Sequence, residues 1–361
     1  MRILPRLASS AKLGFVRYLL AIWFLVMTVL LTKVQWTRFR ALHKPISSDL
    51  NCHKARSLGR ALNLSFDFVV DPEIKPDSCQ LNKPDLALIF VLSMPEQTEI
   101  RDLVRETWAS TMRRYDHQVL FILGLKKDYN RPALLKEHEL NRDLVLIHML
   151  ENYDNLILKV NAMLAWANRN CRGATWLAKI DIDTFVNPFN LMANFLSFSD
   201  YERKPIFGKC VRDEIVNREM GHKWYVPLAL FPNPDYPVYC KGPTYILPFD
   251  RIAEMISTVS EIGFSITLED VYFTGFLAEF LNITRVDREG FPNSESSCYC
   301  VLSHSTVHLF GVKKDLSRRL KDCWRRLTTC HKDPICHIDK RINCENLLHY
   351  SQESKYFPVL V

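Results

Sequence analysis

Thr175 to Asn187 reads TWLAKIDIDTFVN, an apolar run that ends on two carboxylates one residue apart. With Trp176 to Ile180 as a buried strand, Asp181 and Asp183 leave its C-terminal end on a turn and can point the same way, toward one hard cation. Mg²⁺ and Mn²⁺ take oxygen ligands and commonly keep only one or two protein carboxylates, with water and substrate phosphate in the other positions. Such a pair suits a metal-bound diphosphate, as in a nucleotide-sugar site. A strand end capped by two solvated aspartates has the same spacing, so the pair needs an address in a fold before it carries chemistry.

Around that stretch, apolar runs of strand length alternate with helical patterns. Leu86 to Leu92 precedes Gln97 to Met112, Gln118 to Leu125 precedes Pro132 to Asn141, Leu144 to Leu150 precedes Asn155 to Asn168, and Trp176 to Ile180 closes the series. This is the βαβ alternation of an α/β protein with a mostly parallel sheet. In the third helix Leu156, Val160, Met163, Leu164 and Ala167 recur at helical spacing, the stripe a sheet-covering helix needs. Parallel strands then put Asp181 and Asp183 at a carboxyl edge, where α/β sheets bind ligands. No GxGxxG, GxxxxGK(S/T) or GxSxG is present, so a dinucleotide dehydrogenase, a P-loop enzyme and an α/β-hydrolase have no support.

The second half is richer in aromatics and prolines. HKWYVPLALFPNPDYPVYCKGPTYILP, ending at Pro248, lacks helical period and reads as strand and loop, either an aromatic core with turns at Pro234 and Pro237 or a wall on which sugars stack. Ile266 to Leu281 reads as a helix opened by Thr267, with Glu269 and Asp270 in its first turn, where acidic side chains commonly meet the helix dipole.

The chain has 361 residues, 48% of them hydrophobic, ample for a substantial core. Tyr18 to Thr32 carries no charge, and extension back to Leu13 past Arg17, which can snorkel, reaches the ~20 residues a spanning helix needs. The segment is long for a signal-peptide core and no small-x-small cleavage site follows it, so residues 18–32 read as a transmembrane signal anchor. Basic residues flank it on both sides and leave its orientation open. All 11 cysteines lie beyond it, from Cys52 to Cys344, as do glycosylation sequons at Asn63 and Asn282. Both features suit an oxidising lumen and make residues 1–17 a cytosolic tail. The odd cysteine count leaves one thiol free or pairing between chains, as in a homodimer.

The net charge of +7 falls to 43 basic against 40 acidic residues beyond the anchor, which is no footprint for nucleic acid. Arg318, Arg319, Lys321, Arg325 and Arg326 read as a solvated helix face. Residues 33–84, with four prolines and little sustained period, read as a stem with local order around LSFDFVV. Residues 85–312 read as the folded domain, and 313–361 as a Cys-rich extension in which Cys323, Cys330, Cys336 and Cys344 are stapled by disulfides, zinc through His331 and His337 being the lesser reading.

Seven blocks in register carry a family likeness. They are Arg101 with RETW (Arg105 to Trp108), FILG (Phe121 to Gly124), ENYDNLILKV with Trp166 and Cys171, KIDIDTFVN, VYCKGPTYILP, LEDVYFTG and His304-Ser305. In these the chain resembles glycosyltransferase family 31, the beta-1,3-galactosyltransferases and beta-1,3-N-acetylglucosaminyltransferases, with Fringe as a more distant relative. The likeness spans roughly Asp85 to Val312.

What the resemblance implies is a GT-A fold in a single-pass type II Golgi membrane enzyme with a lumenal catalytic domain. It also implies UDP-galactose or UDP-N-acetylglucosamine as donor, Mn²⁺ (or Mg²⁺) as cofactor, and a beta-1,3 linkage made with inversion on a glycan of a glycoprotein or glycolipid. By matching motif, Asp181 and Asp183 would hold the metal with His304 as a further ligand, and Asp270 would be the base. Arg101, Arg105, Trp108, Lys179, Asp181, Tyr239, Gly242 and Glu269 would contact substrate. The chemistry asks for such groups: charge develops on the departing UDP, and a base on the opposite face must take the acceptor proton. The chain departs from the pattern at Ile182, where an acid is expected, at Pro243 and Thr244 in place of glycines, and at Pro248 in place of a serine. The rival class is a catalytically silent member acting as a lectin-like module or a chaperone for another transferase. A metal-dependent hydrolase explains the carboxylates but not the anchor, the aromatic stretch or the order of the blocks.

Overall fold

Ala87–Leu92 (β2) is ALIFVL, six buried residues without a polar side chain, and such a strand has to be covered on both faces. It pairs in parallel with Gln118–Leu125 (β3) on one side and with Trp176–Asp181 (β5) on the other, and Leu144–Leu150 (β4) adds in parallel to β3. The connecting helices are Thr98–Glu106 (α1), Trp108–Arg114 (α2), Arg131–Asn141 (α3) and Leu156–Asn170 (α4). The expected alternation is therefore present strand for strand. The single helix expected from Gln97 to Met112 is broken at Thr107, whose backbone (φ −104°, ψ −117°) is not helical and whose hydroxyl donates to the Leu103 carbonyl at 2.6 Å.

The computed structural model describes residues 65–72, 79, 83–127, 130–263, 266–294, 296–309 and 315–330. The expected anchor at 18–32, Asn63 and the chain beyond 330 lie outside these. Among the described residues no helix is long and apolar enough to cross a membrane.

Beyond β5 the pairing reverses. Tyr239–Pro248 (β8) runs antiparallel to β5, Ile206–Val211 (β7) antiparallel to β8, and Arg285–Asp287 (β9) parallel to β7. With Phe68–Val70 (β1) at the other edge, antiparallel to β4, the order is β1-β4-β3-β2-β5-β8-β7-β9, a mixed α/β sheet that is mostly parallel at its centre. Thr184–Val186 (β6) pairs antiparallel with Thr306–His308 (β10) in a second small ladder just past β5. Pro188–Ser197 (α5), Ile252–Ile262 (α6) and Leu277–Phe280 (α7) complete the layers.

Two boundaries differ from expectation. The sheet begins at Phe68, inside the stretch expected to be stem, and Cys79 in the same stretch is bonded to Cys171 after α4. The stretch expected to be a separate extension contributes Leu316–Cys330 (α8), which packs on α1 and on the turn at Cys298–Leu302. Cys323 bonds to Cys298 there, rather than to another cysteine of the extension, and Ser317 donates to Glu99 at 2.8 Å. A third disulfide, Cys210–Cys240, ties β7 to β8.

One buried imidazole makes the fold acid-sensitive. His117 precedes β3, its Nδ1 accepts from the Ala87 N–H at 3.2 Å, and its Nε2 has no partner. Burial pulls its pKa down to about 4. The unfolded chain, with a His pKa near ~6.5, takes up this proton first as pH falls, so stability present above ~6.5 is lost on the way down to 4. We expect the unfolding free energy from urea titrations to lose about 2–3 kcal/mol to this group across that window, a component that His117→Gln should remove.

Candidate active site

β5 delivers its last residues to the open carboxyl edge, where Leu92 stands opposite Asp181 and the Ile182 N–H donates to the Leu92 carbonyl. Asp181 and Asp183 are each about a third exposed, at 33% and 32%, whereas Ile182 between them is buried. The two carboxylates share the open side and the middle residue turns into the core, so the absence of an acid at 182 takes nothing from that edge. Asp183 Oδ1 is buried with no hydrogen-bond partner, and burial followed by the Asp181 charge pushes the Asp183 carboxyl above its usual range. An anionic oxygen without a donor beside a second carboxylate is a place for a cation.

Beside Asp183 the structure places His308, a histidine that the sequence reading, which had singled out His304, missed. The β6–β10 register sets His308 opposite Thr184 and Thr306 opposite Val186. His308 Nδ1 consequently lies 3.7 Å from Asp183 Oδ1 and 3.2 Å from Thr184 Oγ1. His304 stands four residues earlier, before β10 begins. Its carbonyl accepts from Asn190 Nδ2 at 3.0 Å and its Nδ1 is 2.8 Å from Ser303 Oγ.

Lys179 connects this pair to Glu269, just ahead of the π-turn at Val271–Phe276. It is 0% exposed, and its Nζ reaches Asp181 Oδ1 at 2.7 Å, Glu269 Oε1 at 3.1 Å and the Gly242 carbonyl. Burial opposes its charge, but Asp181 and Glu269 together outweigh that and hold the ammonium well above its ordinary range. Glu269 is buried as well and accepts from the Tyr245 hydroxyl at 2.7 Å; burial pushes its carboxyl up to about 7 against the pull of Lys179.

Asp270 faces differently and keeps part of its surface open. Its two oxygens accept from the N–H groups of Gly242 and Val271, both at 2.9 Å, and burial raises its carboxyl above the usual range. Gly242 is required for this approach, since a Cβ there would sit 3.2 Å from Asp270 Oδ2 and 3.5 Å from Glu269 Oε1. The helix expected over Ile266 to Leu281 is in fact wound as a π-turn at Val271–Phe276. The Thr274 hydroxyl accounts for it by bonding the Asp270 carbonyl (2.6 Å) and, across to β8, the Cys240 N–H (2.8 Å) and carbonyl (3.1 Å). A side chain set into the helix ladder thus pins the turn that carries Asp270 to β8.

Several residues expected to touch substrate are instead supports. Every guanidinium N–H of Arg101 is taken, by Glu137, Ser93, Thr98 and the carbonyls of Met94 and Pro95, and the side chain is 0% exposed. Arg105 is spent on Asp143, Glu137 and Asp102. Trp108 is core. Lys179 and Glu269 act from burial through Asp181 and Gly242, and the buried Tyr239 hydroxyl accepts from Lys241 Nζ at 2.8 Å. Asp181, Asp183, Gly242 and Asp270 remain at the open edge. Exposed Asn282, at φ 51°, is sterically available as a sequon.

The structure adds Lys159 and Glu151. Buried Lys159 Nζ meets the Ser93 carbonyl at 2.7 Å and both Glu151 oxygens at 3.0 and 2.8 Å, while Glu151 Oε2 accepts from the Gly124 N–H at 2.5 Å. The pair ties together the ends of β2, β3 and β4 at the same edge. Its signal in the sequence was a lysine on the buried stripe of α4.

A family profile described as Galactosyltransferase matches residues 99–289, from α1 to just past β9, including Lys179, Asp181, Asp183, Gly242, Glu269 and Asp270. The chain belongs to the galactosyltransferase family. Beta-1,3-galactosyltransferase 1 of Mus musculus is 30% identical over 230 residues, 63% of this chain and 69% of the mouse protein. Beta-1,3-galactosyltransferase 2 of Homo sapiens is 30% identical over 295 residues, 79% of this chain and 68% of the human protein. A solved glycosyltransferase involved in the glycosylation of the major capsid of PBCV-1 aligns with a TM-score of 0.39 at 12% identity, covering 66% of this chain and 99% of that one, a likeness too distant to argue from. As a galactosyltransferase of glycosyltransferase family 31, the protein is a UDP-sugar-dependent hexosyltransferase. The profile ends before both His304 and His308, so the choice between them rests on the ladder register alone.

Proposed function

We propose that the protein transfers galactose or N-acetylglucosamine from its UDP conjugate to a hydroxyl of a glycan acceptor on a glycoprotein or glycolipid, in beta-1,3 linkage and with inversion, in a metal-dependent GT-A site. The observation that carries the reading is the unpartnered Asp183 oxygen and the open Asp270 on one sheet edge, joined through Lys179, Glu269 and Gly242. The names of the two relatives support galactose and the beta-1,3 linkage.

Two carboxylates and an imidazole are a donor set that fits Mn²⁺ or Mg²⁺, so Asp181 and Asp183 would hold the ion with His308 beside them. Among the described residues no group of three or more His, Cys, Asp or Glu forms a metal cage, and ions of this kind complete their shells with water and substrate phosphate. When bound, such an ion neutralises charge on the departing diphosphate. Asp270 receives the acceptor proton as the new C–O bond forms and the bond from the anomeric carbon to UDP breaks. The N–H groups of Gly242 and Val271 fix the direction of that carboxylate. Lys179 keeps Asp181 and the Gly242 backbone in a fixed relation, so the metal-holding and proton-accepting sides move as one body.

The departures from the family pattern do not favour a silent module. Ile182 turns inward, and Thr244 is buried with its hydroxyl on the Pro243 carbonyl, so neither takes a functional group from the open edge.

The reading extends to a Golgi enzyme of type II topology, with residues 18–32 as anchor, a lumenal stem shortened by the ordering of Phe68, and pairing of two chains through the odd cysteine. Three disulfides and an exposed Asn282 support the lumenal side. The test is a panel of UDP-sugars with Mn²⁺, reading UDP release by the purified chain with and without mixed glycan acceptors. We expect acceptor-dependent release, largest with UDP-galactose and abolished by chelation. Glycan binding with no release from any UDP-sugar would establish the silent module instead.

A further inference from the structure

Between β7 and β8, residues 212–238 contain only the isolated bridge Ile215–Asp235. A connection of that length in a folded domain is commonly functional. This one is firmly built. Arg218 donates to the carbonyls of Val226, Phe231 and Asn233 at 2.8, 2.7 and 2.7 Å. Phe231 stacks on Tyr236 and meets Phe276 edge-on, with centroids at 5.8 and 5.0 Å. Phe276 closes the π-turn that begins just after Asp270, so the loop is fastened to the helix carrying the proposed base.

From this loop Trp224 presents a side chain that is 51% exposed. Opposite it Tyr153, on the connection between β4 and α4, is 43% exposed. One lysine bridges them: Lys223 Nζ lies 4.4 Å from the Tyr153 ring and 5.9 Å from that of Trp224. The His222 ring is 5.3 Å from Trp224. Tyr153 follows β4 at the carboxyl edge that also carries Asp181 and Asp183, and the Phe231–Phe276 contact holds the loop of Trp224 to the π-turn after Asp270. Two large rings from distant segments, bridged by one lysine yet half open to solvent, are ill explained as core: the same area would stabilise more if covered.

We propose that Tyr153 and Trp224 form the acceptor subsite, a two-ring platform on which the apolar face of the acceptor's terminal pyranose stacks while one of its hydroxyls turns toward Asp270. The proposal rests on the transferase reading above and adds to it the place and chemistry of acceptor recognition. Sugar rings present C–H faces to aromatic rings, and Tyr and Trp combine that apolar surface with a polar edge able to bond a hydroxyl. Lys223 and His222 stand at the rim, where donors for sugar oxygens are wanted.

The experiment compares Trp224→Ala, Tyr153→Ala and the ring-conserving Trp224→Phe in the full chain. Kinetics use a mixed glycan acceptor and the donor selected by the panel, and UDP and glycan binding are measured separately. Trp224→Ala should raise the acceptor KM roughly tenfold while leaving UDP affinity as in wild type, and Trp224→Phe should recover most of the loss. An unchanged acceptor KM would overturn the platform. A weakened UDP affinity with unaltered acceptor KM would also overturn it, by giving the rings to the uracil of the donor. Glycan binding that depends on Trp224 in a chain releasing no UDP would keep the platform and sink the transferase reading.

Discussion

Asp270→Asn is expected to lower kcat by ~10²–10⁴, the share that general-base catalysis supplies, while UDP-sugar and Mn²⁺ bind nearly as in wild type. The amide keeps the shape of the side chain and one acceptor oxygen, so of the two bonds from Gly242 and Val271 only one is lost. That should cost about 1 kcal/mol of stability, partly offset because a partly buried charge is removed. A residue serving only the helix dipole would show that small stability change and almost no rate change. Azide, which attacks without losing a proton, should restore part of the UDP release. The pH profile gives an independent check. Burial raises the Asp270 carboxyl, and only its ionised form accepts a proton, so the acid limb of kcat/KM should lie above the ordinary carboxylate range and vanish in the variant.

Glu269→Gln is the control. Glu269 is buried against Lys179 and Tyr245, but burial already holds its carboxyl at about 7 and Lys179 keeps Asp181 at 2.7 Å, so the neutral amide should cost the fold only about 1 kcal/mol. The folded fraction should lose less turnover than Asp270→Asn. A larger rate loss from Glu269→Gln, or normal turnover in Asp270→Asn, would move the base elsewhere.

The second large effect belongs to Asp183→Asn, which should abolish manganese-dependent donor binding without harming the fold. In the metal-free protein the change removes a negative charge that stands beside Asp181 with one oxygen buried and without a hydrogen bond, so the thermal midpoint should equal or exceed that of wild type. Mn²⁺ at ~100 times its Kd should stabilise wild type by about 2.7 kcal/mol and leave the variant unmoved. The same shift read on His308→Gln and His304→Gln separates the two histidines, and only the former should diminish. A full manganese shift in Asp183→Asn would refute the metal assignment.

The central strands were legible because β2, β3, β4 and β5 are continuous apolar runs closed by turn residues. Phe68–Val70 showed only as local order around LSFDFVV and Arg285–Asp287 not at all, since three residues hold too little period to separate an edge strand from a loop. At the site, Asp181, Asp183 and Asp270 could be picked out from their blocks, but a block does not say which of its members faces outward. Arg101, Arg105 and Lys179 share motifs with open-edge residues and are nonetheless buried, because charged partners distant in sequence neutralise them. The choice of His308 over His304 depends on pairing with a strand more than a hundred residues earlier. Thr274, which sets the angle of Asp270, looks in the sequence like any other helix threonine.

Cys210–Cys240 joins the two strands from which the aromatic loop springs, at a sequence separation of 30. The loop is therefore a covalently closed ring whose feet stay in register whatever lies between them. Closing a ring of that size in the unfolded chain is worth about 3–4 kcal/mol, enough to absorb one or two damaging substitutions inside it. Substitutions inside the ring therefore leave the register of β7 and β8 covalently fixed, so the loop can change in sequence without loosening the strands that carry it.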